Sequence, residues 1–105
     1  MSSFECDAGL SFKDTLKVVK SEDGVGLRIQ NDQWIMSSDE AKDLADEIQA
    51  LMEGRIELGF AYGFNINLYE VGGDKYVELD GVPASILLNS QDANRLCDFL
   101  REASE

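Results

Sequence analysis

The chain has 105 residues, of which 44% are hydrophobic, 21 acidic and 9 basic, for a formal net charge of −12. This length and apolar content predict one folded domain, residues 1–105, and argue against a disordered chain. The negative charge disfavours nucleic acid and anionic membranes as partners and favours a basic protein surface, although acidity also serves solubility alone.

The sequence lacks the segments that mark export, membrane insertion or metal binding. No apolar run approaches the roughly 18 residues of a membrane span, and the N-terminus lacks the basic and apolar blocks of a signal peptide. We therefore expect a soluble protein of the cytoplasm, or of the host cytoplasm if the source is viral. Cys6 and Cys97, with no histidine, make a poor zinc site and are expected to be buried free thiols; no metal or cofactor is expected.

An internal repeat organises the chain into two copies, residues 1–53 and 54–105. Sliding the sequence by 52 residues without a gap gives eleven identical pairs, where composition alone would give about three or four. The pairs are Glu5/Glu57, Phe12/Phe64, Leu16/Leu68, Val19/Val71, Val25/Val77, Leu27/Leu79, Ser38/Ser90, Ala41/Ala93, Leu44/Leu96, Asp46/Asp98 and Glu53/Glu105.

Each copy begins with segments that alternate at period two, which is typical of half-buried antiparallel strands. In the first copy they cover residues 4–8, 10–20 and 25–29, with a turn at 21–24 and a short apolar strand at 34–36. In the second copy they cover 56–61, 64–71, 77–79 and 86–88, with a turn at 72–75.

The two copies are predicted to place matching residues on the same sheet face, because an even offset preserves strand parity. The core-facing residues of the first strands would be Phe4, Cys6, Ala8, Leu10 and Phe12, matched by Ile56, Leu58, Phe60, Tyr62 and Phe64.

A capped amphipathic helix closes each copy. Ser37 and Glu40 form a capping box, and Asn89 with Asp92 repeats it, while Gly54 ends the first helix. The apolar stripes are Ala41, Leu44, Ala45, Ile48, Leu51 and Met52, then Ala93, Leu96, Cys97, Leu100 and Ala103. The predicted fold class is α+β: a β-meander plus a C-terminal helix (ββββα), duplicated in tandem and paired about a pseudo-two-fold axis.

This order of elements resembles the single-stranded nucleic-acid-binding families of Whirly proteins, PUR repeats and the transcriptional coactivator positive cofactor four. The local likeness lies in residues 86–90 running into 92–100, and in residues 35–38 running into 40–44. Those families present a basic, aromatic-bearing sheet face to nucleic acid. The resemblance implies a nucleic-acid site at Lys13, Lys17, Arg28 and Tyr69.

The two sheet faces differ in charge at the positions where that site would lie. The outward residues of the first copy are Lys13, Thr15, Lys17 and Arg28, whereas Asn65, Asn67, Tyr69 and Asp80 match them in the second. The second face therefore lacks the cations that nucleic acid requires.

The polar face of the first helix is the other candidate site. Its acids are Asp39, Glu40, Asp43, Asp46, Glu47 and Glu53, against Lys42 alone, whereas the second helix is nearly balanced. Acids at these spacings repel one another, so they form either a solvated face or an acidic ridge that docks on a basic groove. Of the exposed-aromatic candidates, Trp34 is expected to pack in the core and Tyr69 to face outward.

Enzymatic activity is not expected, because the chain has no histidine, phosphate-binding loop or dinucleotide motif. We expect a non-enzymatic protein that blocks a basic protein partner, such as a nucleic-acid-binding protein or a nuclease: a phage anti-defence inhibitor of the anti-CRISPR type, a nucleic-acid mimic or a toxin-immunity protein. The alternatives are a Whirly-like single-stranded nucleic-acid-binding protein and a structural or assembly protein, and a homodimer stays open.

Overall fold

A computed structural model describes residues 3–8, 14–22, 24–81 and 84–105, with side chains from residue 15 onward. The elements of these ranges are β1 (Ser3–Ala8), β2 (Asp14–Ser21), β3 (Gly24–Ile29), β4 (Asp32–Met36), α1 (Ser38–Met52), β5 (Gly59–Ala61), β6 (Phe64–Val71), β7 (Asp74–Asp80), β8 (Ser85–Asn89) and α2 (Ser90–Ala103). The order ββββα occurs twice, so the predicted α+β class with a tandem duplicated meander is confirmed.

Each copy forms its own antiparallel sheet, in the orders β1-β2-β3-β4 and β5-β6-β7-β8. Consecutive strands are hydrogen-bonded neighbours in both sheets. The turn between β6 and β7 is Gly72-Gly73, with φ values of 60° and 89°; positive φ at both central residues matches the right-handed twist of a two-residue hairpin. Ser21 lies opposite Gly24 at the other predicted turn. Both predicted hairpins are therefore confirmed.

The helices begin at the predicted caps. Ser37 Oγ accepts from the Glu40 backbone N–H at 3.2 Å, and Glu40 Oε1 accepts from the Ser37 N–H at 3.0 Å, which completes the capping box. Asn89 Oδ1 accepts from the Asp92 N–H at 2.7 Å. Gly54, with φ of 76°, follows the end of α1. The described helices include none long and apolar enough to cross a membrane.

The helices pack against each other about the predicted pseudo-two-fold axis. Cys97 Sγ donates to the Ala45 carbonyl at 3.6 Å, and the Arg101 guanidinium donates to the Gln49 side chain. Both pairs join positions separated by 52 residues, the spacing of the repeat. Equivalent residues meet each other where a two-fold axis passes, so the axis lies between α1 and α2.

The apolar stripes of both helices join the inner faces of both sheets in one core. Every predicted stripe residue is buried except Met52, which is partly exposed, and Ala50 is buried in addition. The sheets meet at Trp34 and Phe64, whose ring centroids are 4.8 Å apart. Trp34 packs against the core while partly exposed, which confirms its predicted place.

The gapless alignment predicts that residues 52 positions apart are structurally equivalent. This prediction is correct from β3 onward in the first copy and wrong for the two strands before β3. Val18 lies opposite Leu27, and Ile66 lies opposite Leu79. Ile66, and not Glu70, is therefore the counterpart of Val18. The β6–β7 hairpin extends two residue pairs further than the β2–β3 hairpin, which places Val71 near its tip with 63% exposure.

The predicted inward face of β5 is also wrong. Leu58 and Phe60 are 75% and 63% exposed, whereas Gly59 and Ala61 are buried. The cause is the Tyr62-Gly63 turn, whose φ values of 50° and 81° make a two-residue hairpin. It sets Ala61 directly opposite Phe64. Because directly opposed residues share a face and Phe64 is fully buried, Ala61 points inward and Phe60 outward.

β5 is also shorter than its predicted range of 56–61. The first-copy predictions at Phe4, Cys6, Ala8, Leu10 and Phe12 concern side chains outside the described residues.

Candidate binding groove between α1 and β5

An open groove of about 560 Å³ lies between α1 and the segment that carries β5. Four carboxylates of α1 line one wall, and apolar or aromatic side chains together with one cation line the other. The residues that define this acidic groove are Glu40, Asp43, Asp46 and Glu47, facing Arg55, Ile56, Phe60 and Tyr62. Four acids against one cation give the groove a net negative charge.

The acids share a wall because of their helical spacing. Residues three, four and seven positions apart lie on one side of a helix, and Glu40, Asp43 and Glu47 follow this spacing. These acids flank the buried stripe that includes Leu44 and Ile48, and Glu40 and Glu47 beside it are themselves partly buried. Burial of the stripe therefore fixes which way the acids point.

Ion pairs engage one of the groove acids and the cation of the opposite wall. Arg101 of α2 donates to Asp46 at 3.2 Å, and Arg55 lies 3.4 Å from Glu53. In each pair one side chain is more than half exposed. Neither pair is therefore expected to contribute more than about 1 kcal/mol to the free energy of folding. Asp43 and Glu47 take part in no ion pair within the described portion of the chain.

The structure brings together four of the six predicted acids. Asp39 lines a separate depression beside Lys42 and Arg101, and Glu53 lies beyond the end of α1. Glu40 also serves the helix cap through its bond to Ser37, so it has both a structural and a groove-lining position.

The apolar wall was missed by reasoning from the sequence. Phe60 was assigned to the core, but its side chain is 63% exposed. The signal that would have found it is the dipeptide Tyr62-Gly63, since a glycine in a two-residue turn sets the strand pairing. The Tyr62 hydroxyl donates to the Ile35 carbonyl of β4, which holds this turn against the first sheet.

The alternative nucleic-acid residues are spread over two sheets. Lys17 lies directly opposite Arg28 on the first sheet and both are exposed, whereas Lys13 lies outside the described residues. Tyr69, 45% exposed, stands on the second sheet, so its predicted exposure is confirmed. Its hydroxyl donates to Glu78 Oε1 at 3.1 Å, and this bond to the carboxylate raises the pKa of Tyr69.

Cys97 is a buried free thiol with 3% exposure, as predicted. Burial raises its pKa to about 11, against the opposing charge of Arg101. The thiolate is the reactive form of cysteine, so Cys97 is protonated and unreactive near neutral pH. The described ranges hold no group of three His, Cys, Asp or Glu side chains suited to a metal ion.

Comparison of the chain with protein-family models, with curated proteins and with solved structures found no match.

Proposed function

We propose that this chain is a non-enzymatic acidic binding protein that occupies and blocks a basic surface on a partner protein. The observation that carries the proposal is the acidic groove, in which the carboxylates of α1 face the exposed side chain of Phe60. Charge or apolar exposure alone would be an ordinary surface feature. Their combination in one concave site suits a ligand that is both basic and apolar.

The two walls would contribute different terms to binding. Burying Phe60 on contact removes apolar surface from water, which is worth about 25 cal/mol per Å². The carboxylates steer a cationic partner and set its orientation. Lys and Arg side chains fit both walls, because their aliphatic stems pack on an aromatic ring while their charged ends reach the acids.

Proteins that bind nucleic acid are the target class with the matching chemistry. They present clustered Lys and Arg to the phosphate backbone, and a helix face that bears several carboxylates offers those cations an alternative anion. As an inhibitor of a defence nuclease or as a toxin-immunity protein, the chain would act by such occupation. The proposed mechanism is competition with nucleic acid for one basic surface.

A labelled peptide of alternating Lys and Leu tests the groove directly by fluorescence polarisation. We expect saturable binding that weakens as salt rises. Asp43→Lys with Glu47→Lys should lower affinity by about tenfold or more, equivalent to about 1.4 kcal/mol. The matched control is Asp98→Lys with Glu102→Lys, which changes net charge equally on exposed positions of α2.

A second pair of variants separates the apolar wall from general stickiness. Phe60→Ser should weaken peptide binding, whereas Val71→Ser, which alters a side chain equally exposed at 63%, should not. If Asp98→Lys with Glu102→Lys weakens peptide binding as much as Asp43→Lys with Glu47→Lys, the overall charge of the protein explains the loss of affinity. The proposal is then wrong.

A further inference from the structure

The outer face of the first sheet carries an apolar side chain beside two cations. Ile35 is 57% exposed and lies opposite Gly26, which has no side chain beyond its Cα. Two residues further along β3, Arg28 lies opposite Lys17, and both are exposed. Like charges directly opposite each other disfavour a sheet, although on its other side Lys17 lies opposite the acid Glu5 of β1.

The outer face of the second sheet carries a complementary hollow. Its volume is about 290 Å³, and it is lined by Tyr69, Val71, Tyr76 and Leu87, with Glu78. Tyr69 and Val71 are 45% and 63% exposed. The hollow exists because the β6–β7 hairpin extends beyond its first-copy counterpart, so the first sheet has no equivalent of Val71.

The two faces match in layout as well as in chemistry. On the first sheet, the cation Arg28 stands two residues along β3 from Gly26, beside the apolar Ile35. On the second sheet, Glu78 stands two residues along β7 from Tyr76, and Asp80 two further. Two strand residues span about 7 Å. Each face therefore has an apolar centre with a charge of opposite sign at a similar distance.

We propose that the outer face of the first sheet of one copy docks on the outer face of the second sheet of another copy. Ile35 enters the hollow, while Lys17 and Arg28 lie against Glu78 and Asp80. Stacked sheets pack about 10 Å apart, with side chains interdigitating between them.

The assembly is open-ended, because the two docking surfaces differ. An exposed apolar side chain that fits a hollow elsewhere on the same molecule makes a head-to-tail contact, which extends into chains rather than closing as a dimer. The net charge of −12 opposes long assemblies, but salt screens repulsion beyond about 8 Å at about 0.15 M. We expect short oligomers whose size rises with protein concentration.

Sedimentation velocity tests this on the chain alone. Between about 5 and about 500 µM, in about 0.15 M NaCl, the mean mass should rise above the 11.6 kDa of one chain. Lys17→Glu with Arg28→Glu should weaken association by about tenfold or more, as should Glu78→Lys with Asp80→Lys. An equimolar mixture of the two charge-reversed proteins should associate again, because each then offers the other a complementary face.

The proposal is overturned by a mass of one chain at every concentration, by a mixture that does not associate, or by Ile35→Ser leaving the association unchanged. A labelled single-stranded oligonucleotide is titrated in parallel. If the Lys17 and Arg28 reversal abolishes its binding while the mass is unaffected, those cations serve nucleic acid instead. The groove variant Asp43→Lys with Glu47→Lys should still self-associate, so this result stands apart from peptide binding.

Discussion

The two copies agree around the pseudo-two-fold axis and differ at the hairpins away from it. In β3, β4 and the helices, residues 52 positions apart occupy matching core positions, as Leu27 and Leu79 do. In the first two strands of each copy, the register shifts and the hairpin lengths differ. Elements that pack on the axis touch their own counterparts, so a change in one must suit the other. Hairpin ends lack this constraint.

The helices show the same division within a single element. Ala45 and Cys97 meet at the axis, whereas the outward residues carry acids on α1 and include the exposed Arg95 on α2. The buried sides have stayed equivalent while the exposed sides have diverged. Binding surfaces are therefore expected where the copies differ, and the acidic groove and the apolar hollow both lie there.

The largest expected effect is on the shared core, at one matched pair of leucines. Leu44 and Leu96 are both fully buried at equivalent positions of α1 and α2. Leu44→Ala and Leu96→Ala should each lower the free energy of unfolding by about 2–5 kcal/mol. Because both side chains lie in one core, each variant should show a single urea transition by circular dichroism. A separate transition for one half would show that the copies fold independently.

A smaller effect is expected where the copies fill one position differently. Ile29 and Gly81 occupy equivalent positions, two residues after Leu27 and Leu79 respectively. Ile29 is fully buried. A Cβ at Gly81 would lie 2.6 Å from the Phe64 ring, so Gly81→Ala should cost about 1–3 kcal/mol through overpacking. In a Phe64→Leu background, where the ring is absent, Gly81→Ala should lower the free energy of unfolding by less than it does in the wild type, which urea unfolding of the four proteins of the cycle measures. An unchanged stability for Gly81→Ala would contradict this close approach.

The smallest effect concerns the matched pair Ala45 and Cys97 and depends on pH. The raised pKa of Cys97, about 11 against an ordinary 9.0, means that the folded state holds the thiol proton more tightly. The contribution of the protonated thiol to the free energy of unfolding is therefore fully present below pH 9 and is lost as pH rises through 11. Between pH 8 and pH 10 we expect a loss of about 1 kcal/mol.

The matched control for this titration is Cys97→Ala, which places alanine on both sides of the axis. Urea unfolding of the wild type and of this variant should diverge as pH rises above 9. Parallel pH profiles would show that burial does not hold the Cys97 proton.

Local patterns were sufficient to predict most of the fold. Capping residues, turn dipeptides and apolar periodicity act over a few residues, so the Ser37 and Asn89 caps, the helix stripes and the order of the strands could be predicted from the sequence. The acidic character of α1 was equally visible, because helical spacing decides which acids share a face.

Only the tertiary structure decided where those acids face and what they face. The gapless repeat misassigned the early strands, because sequence identity does not report the length of a hairpin. A two-residue turn at Tyr62-Gly63 turned Phe60 outward, since the pairing of Ala61 with the buried Phe64 leaves no other arrangement. The sequence alone determined the fold class and the charge; strand register, which depends on contacts between distant residues, decided the groove.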